Sequence, residues 1–393
     1  MKKVMAGLVL MAGVGGTCLA AETNSTAAAV PAPKTWADSI TLKGDFRYRY
    51  ETINDDAKKN ASKETYTRQR DRIRARLVAD AKVNDNLKAM IGFSTGGNDP
   101  ISGNQTLGDG GQKKDMKLDL AYLDYSFLGD ATATEAHGYA GKMKNPFITM
   151  NDDLIWDSDL SPEGVAFKGQ TGNDVVTAYG NAGYIWIQER DSKDAANLLA
   201  GQGAVKFQFV PEVALTVGAS YYGFQNMQGY DVIDWEGKNN AYGNSTKNGT
   251  IAGGVTNKAW ASEFTPVVYF ASLDMWIAGV PVSIFGQELS NTDASKLDQG
   301  HMYGVSLGKA KNPGTFEVGY SYAELQKDAT VGMWTDSDRW GGGTDGKGHK
   351  LYAKYQVMKN LQAGVSYFKD DKGIASGKAT GYDRMQLDLV ATF

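Results

Sequence analysis

The chain has one cysteine, Cys18, near its start, so no intrachain disulfide can staple it and no Cys-based zinc or haem spacing exists. Its three histidines, His137, His301 and His349, stand far apart, and neither a metal nor a cofactor is expected. Past residues 4–14 there is no long apolar run. The nearest, Phe264 to Gly286, is interrupted by Pro266, Asp274, Gly279 and Pro281 and reads as two strands joined by a turn. With a mean hydropathy of -0.39, helical membrane spans are excluded. Strong charge of one sign is also missing: the formal net charge is -4, and loss of Lys2 and Lys3 with a leader would make it more acidic, which argues against nucleic acid as a partner.

What is present is 47 Gly, 20 Tyr and 8 Trp. Lys2 and Lys3, the apolar run Val4 to Val14, and the small residues around Cys18-Leu19-Ala20 have the pattern of a secretory signal peptide covering 1–20. Residues 21–38, rich in Ala, Thr and Pro, read as a flexible lead-in. At the other end Leu387, Leu389, Ala391 and Phe393 alternate with Arg384, Gln386, Asp388 and Thr392. A final strand that is apolar on one face and closes on an aromatic suits the last stave of a transmembrane β-barrel, in which only every second residue meets lipid.

Period-two alternation in segments of about ten residues, the length a tilted strand needs to cross a bilayer, runs from Ile40 to the end. Ile40, Leu42, Phe46, Tyr48 and Tyr50 share one face; Lys43, Asp45, Arg47, Arg49 and Glu51 share the other. Further strands are expected over 66–82, 87–95, 116–127, 135–144, 163–170, 174–187, 198–209, 213–223, 259–270, 281–290, 301–309, 315–325, 349–357, 361–369 and 382–393. In the fourth, the phase changes between Tyr122 and Leu123, which predicts a β-bulge. Sixteen strands, with short turns such as 210–212 and 358–360 alternating with long loops at 96–115, 145–162, 224–258 and 326–348, predict an all-β antiparallel barrel over 39–393 with its long loops outside the cell. A soluble sandwich would need half of these faces buried against a second sheet.

Arg68, Arg70, Arg72, Arg74 and Arg76 recur at strict period two, so a strand stacks all five on one face, opposite Ile73, Ala75 and Leu77. An arginine on the lipid side at mid-membrane costs about 2–4 kcal/mol, so the ladder is expected in the lumen, with Arg47 and Arg49 continuing it on the neighbouring strand. Lys142 and Lys144 are further candidate pore-lining bases. Facing carboxylates are nominated in the loop 145–162: Asp152, Asp153, Asp157 and Asp159, with Glu163 at its end. An arginine wall opposite such a loop would set up a transverse field that sorts ions. The same acids could be a solvated loop, or hold Ca²⁺ through oxygen ligands without the EF-hand spacing.

Two motifs are discounted. Gly304-Val305-Ser306-Leu307-Gly308 matches a hydrolase nucleophile elbow, but Tyr303, Val305 and Leu307 alternate straight through it, where the elbow needs a strand, a sharp turn and a helix. Gly341 to Gly348 approaches a phosphate-binding loop, but Gly348 stands where Ser or Thr is required and no helix pattern follows.

The chain resembles the sixteen-stranded Gram-negative porins, and within them the putative-porin group. The resemblance covers about 38–393 and is carried by Gly141-Lys142-Met143-Lys144-Asn145-Pro146-Phe147, Trp156-Asp157-Ser158-Asp159-Leu160-Ser161-Pro162-Glu163-Gly164-Val165, and Asp336-Ser337-Asp338-Arg339-Trp340-Gly341-Gly342-Gly343. It implies a passive, trimeric, water-filled channel in the outer membrane, narrowed by its third extracellular loop, with Phe393 as the terminal aromatic that the barrel-assembly machinery reads. Small hydrophilic solutes or ions are the expected cargo, with an anion preference from the ladder. The rival readings are a channel specific for phosphate, sulfate or organic acids, a barrel hydrolase using Ser306, and a surface adhesin using the loop 224–258 with Tyr230, Trp235 and Tyr242.

Overall fold

The computed structural model describes residues 36–60, 62, 64–128, 134–235, 237–250 and 256–393. The expected signal peptide lies outside the described residues, as does nearly all of the lead-in. One compact unit spans Ser39–Phe393. Its barrel strands are β1 (Ile40–Lys59), β2 (Thr65–Lys82), β3 (Leu87–Thr95), β4 (Met116–Ser126), β5 (Glu135–Lys142), β6 (Glu163–Gly172), β7 (Val176–Gln188) and β8 (Ala196–Val210). They continue as β9 (Val213–Gln225), β10 (Pro266–Ile277), β11 (Val280–Asn291), β12 (Gln299–Gly308), β13 (Phe316–Leu325), β14 (Gly346–Met358), β15 (Leu361–Lys372) and β16 (Thr380–Thr392). Each pairs antiparallel with its sequence neighbours, and β1 pairs with β16 from Asp45↔Thr392 to Asp55↔Tyr382, which closes the sheet. The sixteen strands and the closure are those expected from the alternation. No described helix is long and apolar enough to cross a membrane; the crossing is made by strands.

Burial is inverted relative to a soluble fold. Phe46, Tyr48, Leu77, Leu387 and Leu389 are exposed on the outer face, whereas Arg49, Glu51, Arg74, Arg384 and Gln386 on alternate positions are buried inside. Such a surface is stable only where the solvent outside is hydrocarbon. Long loops gather at one end of the barrel; numbered in order there, the third (L3) is 143–162, the fifth (L5) 226–265 and the seventh (L7) 326–345. The opposite end has two-residue turns at 211–212, 278–279 and 359–360. At Ala278-Gly279 both residues have positive φ, 50° and 78°, the pairing that matches the twist of a two-residue hairpin.

Two expectations need correction. The tenth strand is Pro266–Ile277, not 259–270: Ala259 and Trp260 belong to Thr256–Trp260, which pairs with Thr246–Thr250 as a hairpin within L5. The bulge in β4 lies at Asp119, since Gly92 pairs with Leu120 and Phe93 with Leu118. Leu120 disguises it, because this apolar residue points inward, where a Cβ on Gly92 would lie 3.0 Å from it.

A hydrophobic core also sits inside the barrel. Phe147, Leu154, Ile155 and Trp156 of L3 and Met333 and Trp334 of L7 pack against Leu198 (β8), Tyr222 and Phe224 (β9), and Phe285 and Leu289 (β11). Trp156 stacks on Phe147 at 5.6 Å and on Trp334 at 5.4 Å. L3 and L7 are thus one packed body within the lumen, and the arginine-bearing wall faces it.

Candidate functional site

The register of β1 and β2 sets Arg47 opposite Arg74, Arg49 opposite Arg72, Glu51 opposite Arg70 and Asp45 opposite Arg76. All seven arginines expected in the lumen stand on this one wall, and Arg384 of β16 joins them. Arg49 donates from Nε and Nη2 to the two oxygens of Asp388, both at 2.7 Å, and from Nη1 to Asp338 of L7 at 3.3 Å. Glu51, fully buried, accepts from Arg70 and from Arg384 Nη2 at 2.6 Å. Arg384 also reaches Asp338 at 2.9 Å. Arg74 donates to Asp159 at 2.7 Å and to Asp45 at 3.1 Å; Arg76 donates to Asp45 at 2.6 Å. Arg47 donates to the Asn104 side chain at 2.7 Å and Arg72 to its carbonyl at 3.2 Å. Arg68 is exposed at the outer rim.

Of the five acids nominated to face the ladder, only Asp159 does so. Asp152 crosses to the far wall, where it accepts from Lys350 at 2.5 Å, Ser321 at 2.6 Å and Arg339 at 3.2 Å. Burial works against its charge, but Lys350 and Arg339 hold its carboxyl below the usual range. Asp153 accepts from the Ile155 and Trp156 amides, both at 2.9 Å, and from Gln287 at 2.8 Å. Asp157 joins the loops, accepting from the Asp159 amide at 2.8 Å and the Ser337 amide at 2.9 Å. Lys142 and Glu163 are not in the lumen. They pair with each other at 3.0 Å on the face of β6 that also carries the exposed Val165 and Phe167. Both lie on the strands that flank L3, Lys142 ending β5 and Glu163 starting β6, and not on the loop that enters the barrel. Lys144 lines the lumen.

The wall's own acids, Asp45, Glu51 and Asp388, and the L7 acid Asp338 were not nominated from the sequence. Asp45 and Glu51 share the face of Arg47 and Arg49, and Arg384 and Asp388 form the polar face of the last strand, so the alternation carried that signal. Asp338 lies in one of the segments that carry the family resemblance, but its place against Arg49 and Arg384 depends on the path of L7. Burial opposes its charge, and Arg384 and Arg49 bring its carboxyl well below the ordinary range.

Beneath the loops lies a cavity of about 630 Å³ whose lining holds nine aspartates against Lys43, Arg76, Lys144 and Lys350. The lumen is therefore basic along the β16–β1–β2 wall and acidic in this vestibule. Among the described residues no group of three or more His, Cys, Asp or Glu is arranged to hold a metal ion. Ser306 lies in the uninterrupted strand β12, 3.4 Å from Asn151 Nδ2. Trp235 and Tyr242 of L5 stack on each other at 4.4 Å and pack against the inner core.

Asp157 and Asp336 repel each other where the loops meet, and burial together with that repulsion raises the Asp157 carboxyl well above its usual range. A carboxyl raised in the folded state stabilises most below its unfolded value of about 3.9 and loses that contribution as pH rises through the folded value. The L3–L7 junction is expected to be tightest in acid. Hydrogen exchange of amides 334–338 should be better protected at pH 5 than at pH 8. Asp336→Asn, which keeps the acceptor for the Asp338 amide, should shrink the difference; equal protection at both pH values in the wild type would refute the repulsion.

A closed sixteen-stranded barrel, apolar outside and lined within by charge, defines an outer-membrane channel. The chain belongs to the family described as "Putative porin", whose sequence profile matches residues 53–247 and 263–393. Among solved structures, OprB of Pseudomonas putida is similar with a TM-score of 0.55 at 10% identity, over 90% of this chain and 94% of that one. A loop-deletion mutant of OmpT from Vibrio cholerae has a TM-score of 0.49 at 12% identity, over 91% and 100% of the two chains. A porin mutant from Rhodopseudomonas blastica has 0.46 at 9%, over 90% and 100%. No curated protein sequence matches the chain.

Proposed function

We propose that this protein is a general-diffusion porin, exported by its signal peptide and placed by the barrel-assembly machinery in the outer membrane of a Gram-negative bacterium. There it works as a homotrimer and lets small hydrophilic solutes and ions move down their gradients with a modest anion preference and without catalysis. One observation carries the reading. Among the described residues the wall of β16, β1 and β2 carries seven guanidiniums inward of the exposed Arg68, six of them within 4.0 Å of five carboxylates and Arg47 within 4.0 Å of none, a surplus of two positive charges where L3 and L7 approach it. Charge at the narrowest part of a pore governs selectivity more than net charge does, because the field falls off within about 8–10 Å at physiological salt. The acidic vestibule works against it, which keeps the preference modest.

The test is the zero-current potential across a planar bilayer under a KCl gradient. Wild type should favour chloride, and Arg72→Glu with Arg74→Glu should abolish or reverse the sign. Strong cation selectivity in the wild type, or an unaltered potential in the double variant, would remove the wall from the conduction path.

A further inference from the structure

The arginine wall is not neutralised by the protein itself. Arg47 and Arg74 stand directly opposite each other in the β1–β2 register, as do Arg49 and Arg72, an arrangement that repels unless something intervenes. Arg49 is satisfied by Asp388 and Asp338, and Arg74 by Asp159 and Asp45. Among the described residues Arg47 has only the neutral Asn104 side chain as acceptor, and Arg72 has the Asn104 carbonyl with Glu51 at 3.7 Å. The Nε atoms of Arg47, Arg72 and Arg74 are buried with no acceptor among the described residues. A buried cation short of both countercharge and hydrogen-bond acceptors calls for an anion that supplies both.

We infer that Arg47, Arg72 and Arg74, with Asn104 beside them, form a binding site for a small carboxylate on its way through the lumen. The class of ligand follows from what the wall already holds. Each guanidinium here that has a charged partner has a carboxylate, and Arg49 with Asp388 shows the two-pronged geometry in which two N–H groups meet two oxygens. A halide offers one point charge and cannot use the fork. Asp159 is borne on L3 rather than on the wall, so it acts as the resident competitor: an arriving carboxylate takes guanidinium hydrogen bonds that this side chain otherwise occupies. The inference rests on the lumen being a solute path, and it adds saturable recognition to plain diffusion.

Isothermal titration of the detergent-solubilised full-length protein with sodium acetate in low-salt buffer tests it. Wild type should bind saturably, near one acetate per barrel. Arg47→Gln with Arg72→Gln should weaken binding by about tenfold or more, the scale of losing a charge-assisted pair. Asp159→Asn should tighten it, and this expected gain cannot be mimicked by a misfolded variant. Heat that never saturates, affinity unchanged in the double variant, or chloride competing as well as acetate would each overturn the site. Wild-type KCl conductance separates the two readings: conductance without acetate binding removes the site and leaves the channel, while binding without conductance removes the channel and leaves the site.

Discussion

Gly44→Val should sharply reduce the amount of folded barrel recovered from the outer membrane. Gly44 and the last residue exchange backbone hydrogen bonds across the closing seam, Gly44 N to the Phe393 carbonyl at 2.9 Å and Phe393 N to the Gly44 carbonyl at 3.0 Å. The Phe393 ring lies over the glycine. A Cβ there would stand 2.6 Å from two ring carbons and 2.6 Å from the Arg76 carbonyl oxygen. The ring can swing away into lipid, but the carbonyl belongs to the β1–β2 ladder and cannot move alone. Overpacking of this kind costs about 1–3 kcal/mol, enough to lower assembled protein about tenfold where closure limits assembly. The readout is the heat-modifiable band on an unboiled gel of outer-membrane fractions. Phe393→Ala should lower assembly less, since it removes the ring and keeps both backbone hydrogen bonds. A Gly44→Val barrel recovered at the wild-type level would show that the last residue does not complete the seam there.

The strands were legible because a barrel in lipid imposes period two on each stave outside its bulges, and a phase such as Phe46-Arg47-Tyr48-Arg49 admits one orientation only. The ladder followed for the same reason. Illegible from the sequence was every feature set by contact between distant segments. Whether Asp152 or Asp159 meets an arginine depends on the path L3 takes across the lumen, and that path is fixed by Trp156 stacking on Trp334, 178 positions away in a loop whose inward fold has no local signature. Arg49 finds Asp388 only because the first and last strands close on each other. Leu120 and the stretch 259–264 misled for a related reason: Leu120, Trp260 and Phe264 are apolar side chains buried inside the barrel, Trp260 and Phe264 in its core, and the alternation rule assumes a lumen filled with water.

Within that one wall, removing a charge should have very different consequences according to depth, and Glu51→Gln should have the largest. Glu51 is the hub of the buried network, accepting from Arg70 and Arg384 and lying 3.7 Å from Arg72. Glutamine keeps the shape, but its carbonyl can serve only one guanidinium and its amide turns donors toward donors. Arg384 is 4% exposed and would be left with Asp338 as its only carboxylate. Breaking a buried ion pair by removing one partner typically costs about 3–5 kcal/mol, because the remaining charge cannot be hydrated where it stands. Arg68→Gln, at the exposed rim of the same ladder, should cost less than about 1 kcal/mol. Guanidinium unfolding followed by tryptophan fluorescence in detergent measures both. Adding Arg70→Gln to Glu51→Gln should recover part of the loss by removing one of the stranded cations. If Glu51→Gln and Arg68→Gln shift the midpoint equally, water reaches the whole wall, and the buried charge surplus that motivates the carboxylate site is not there.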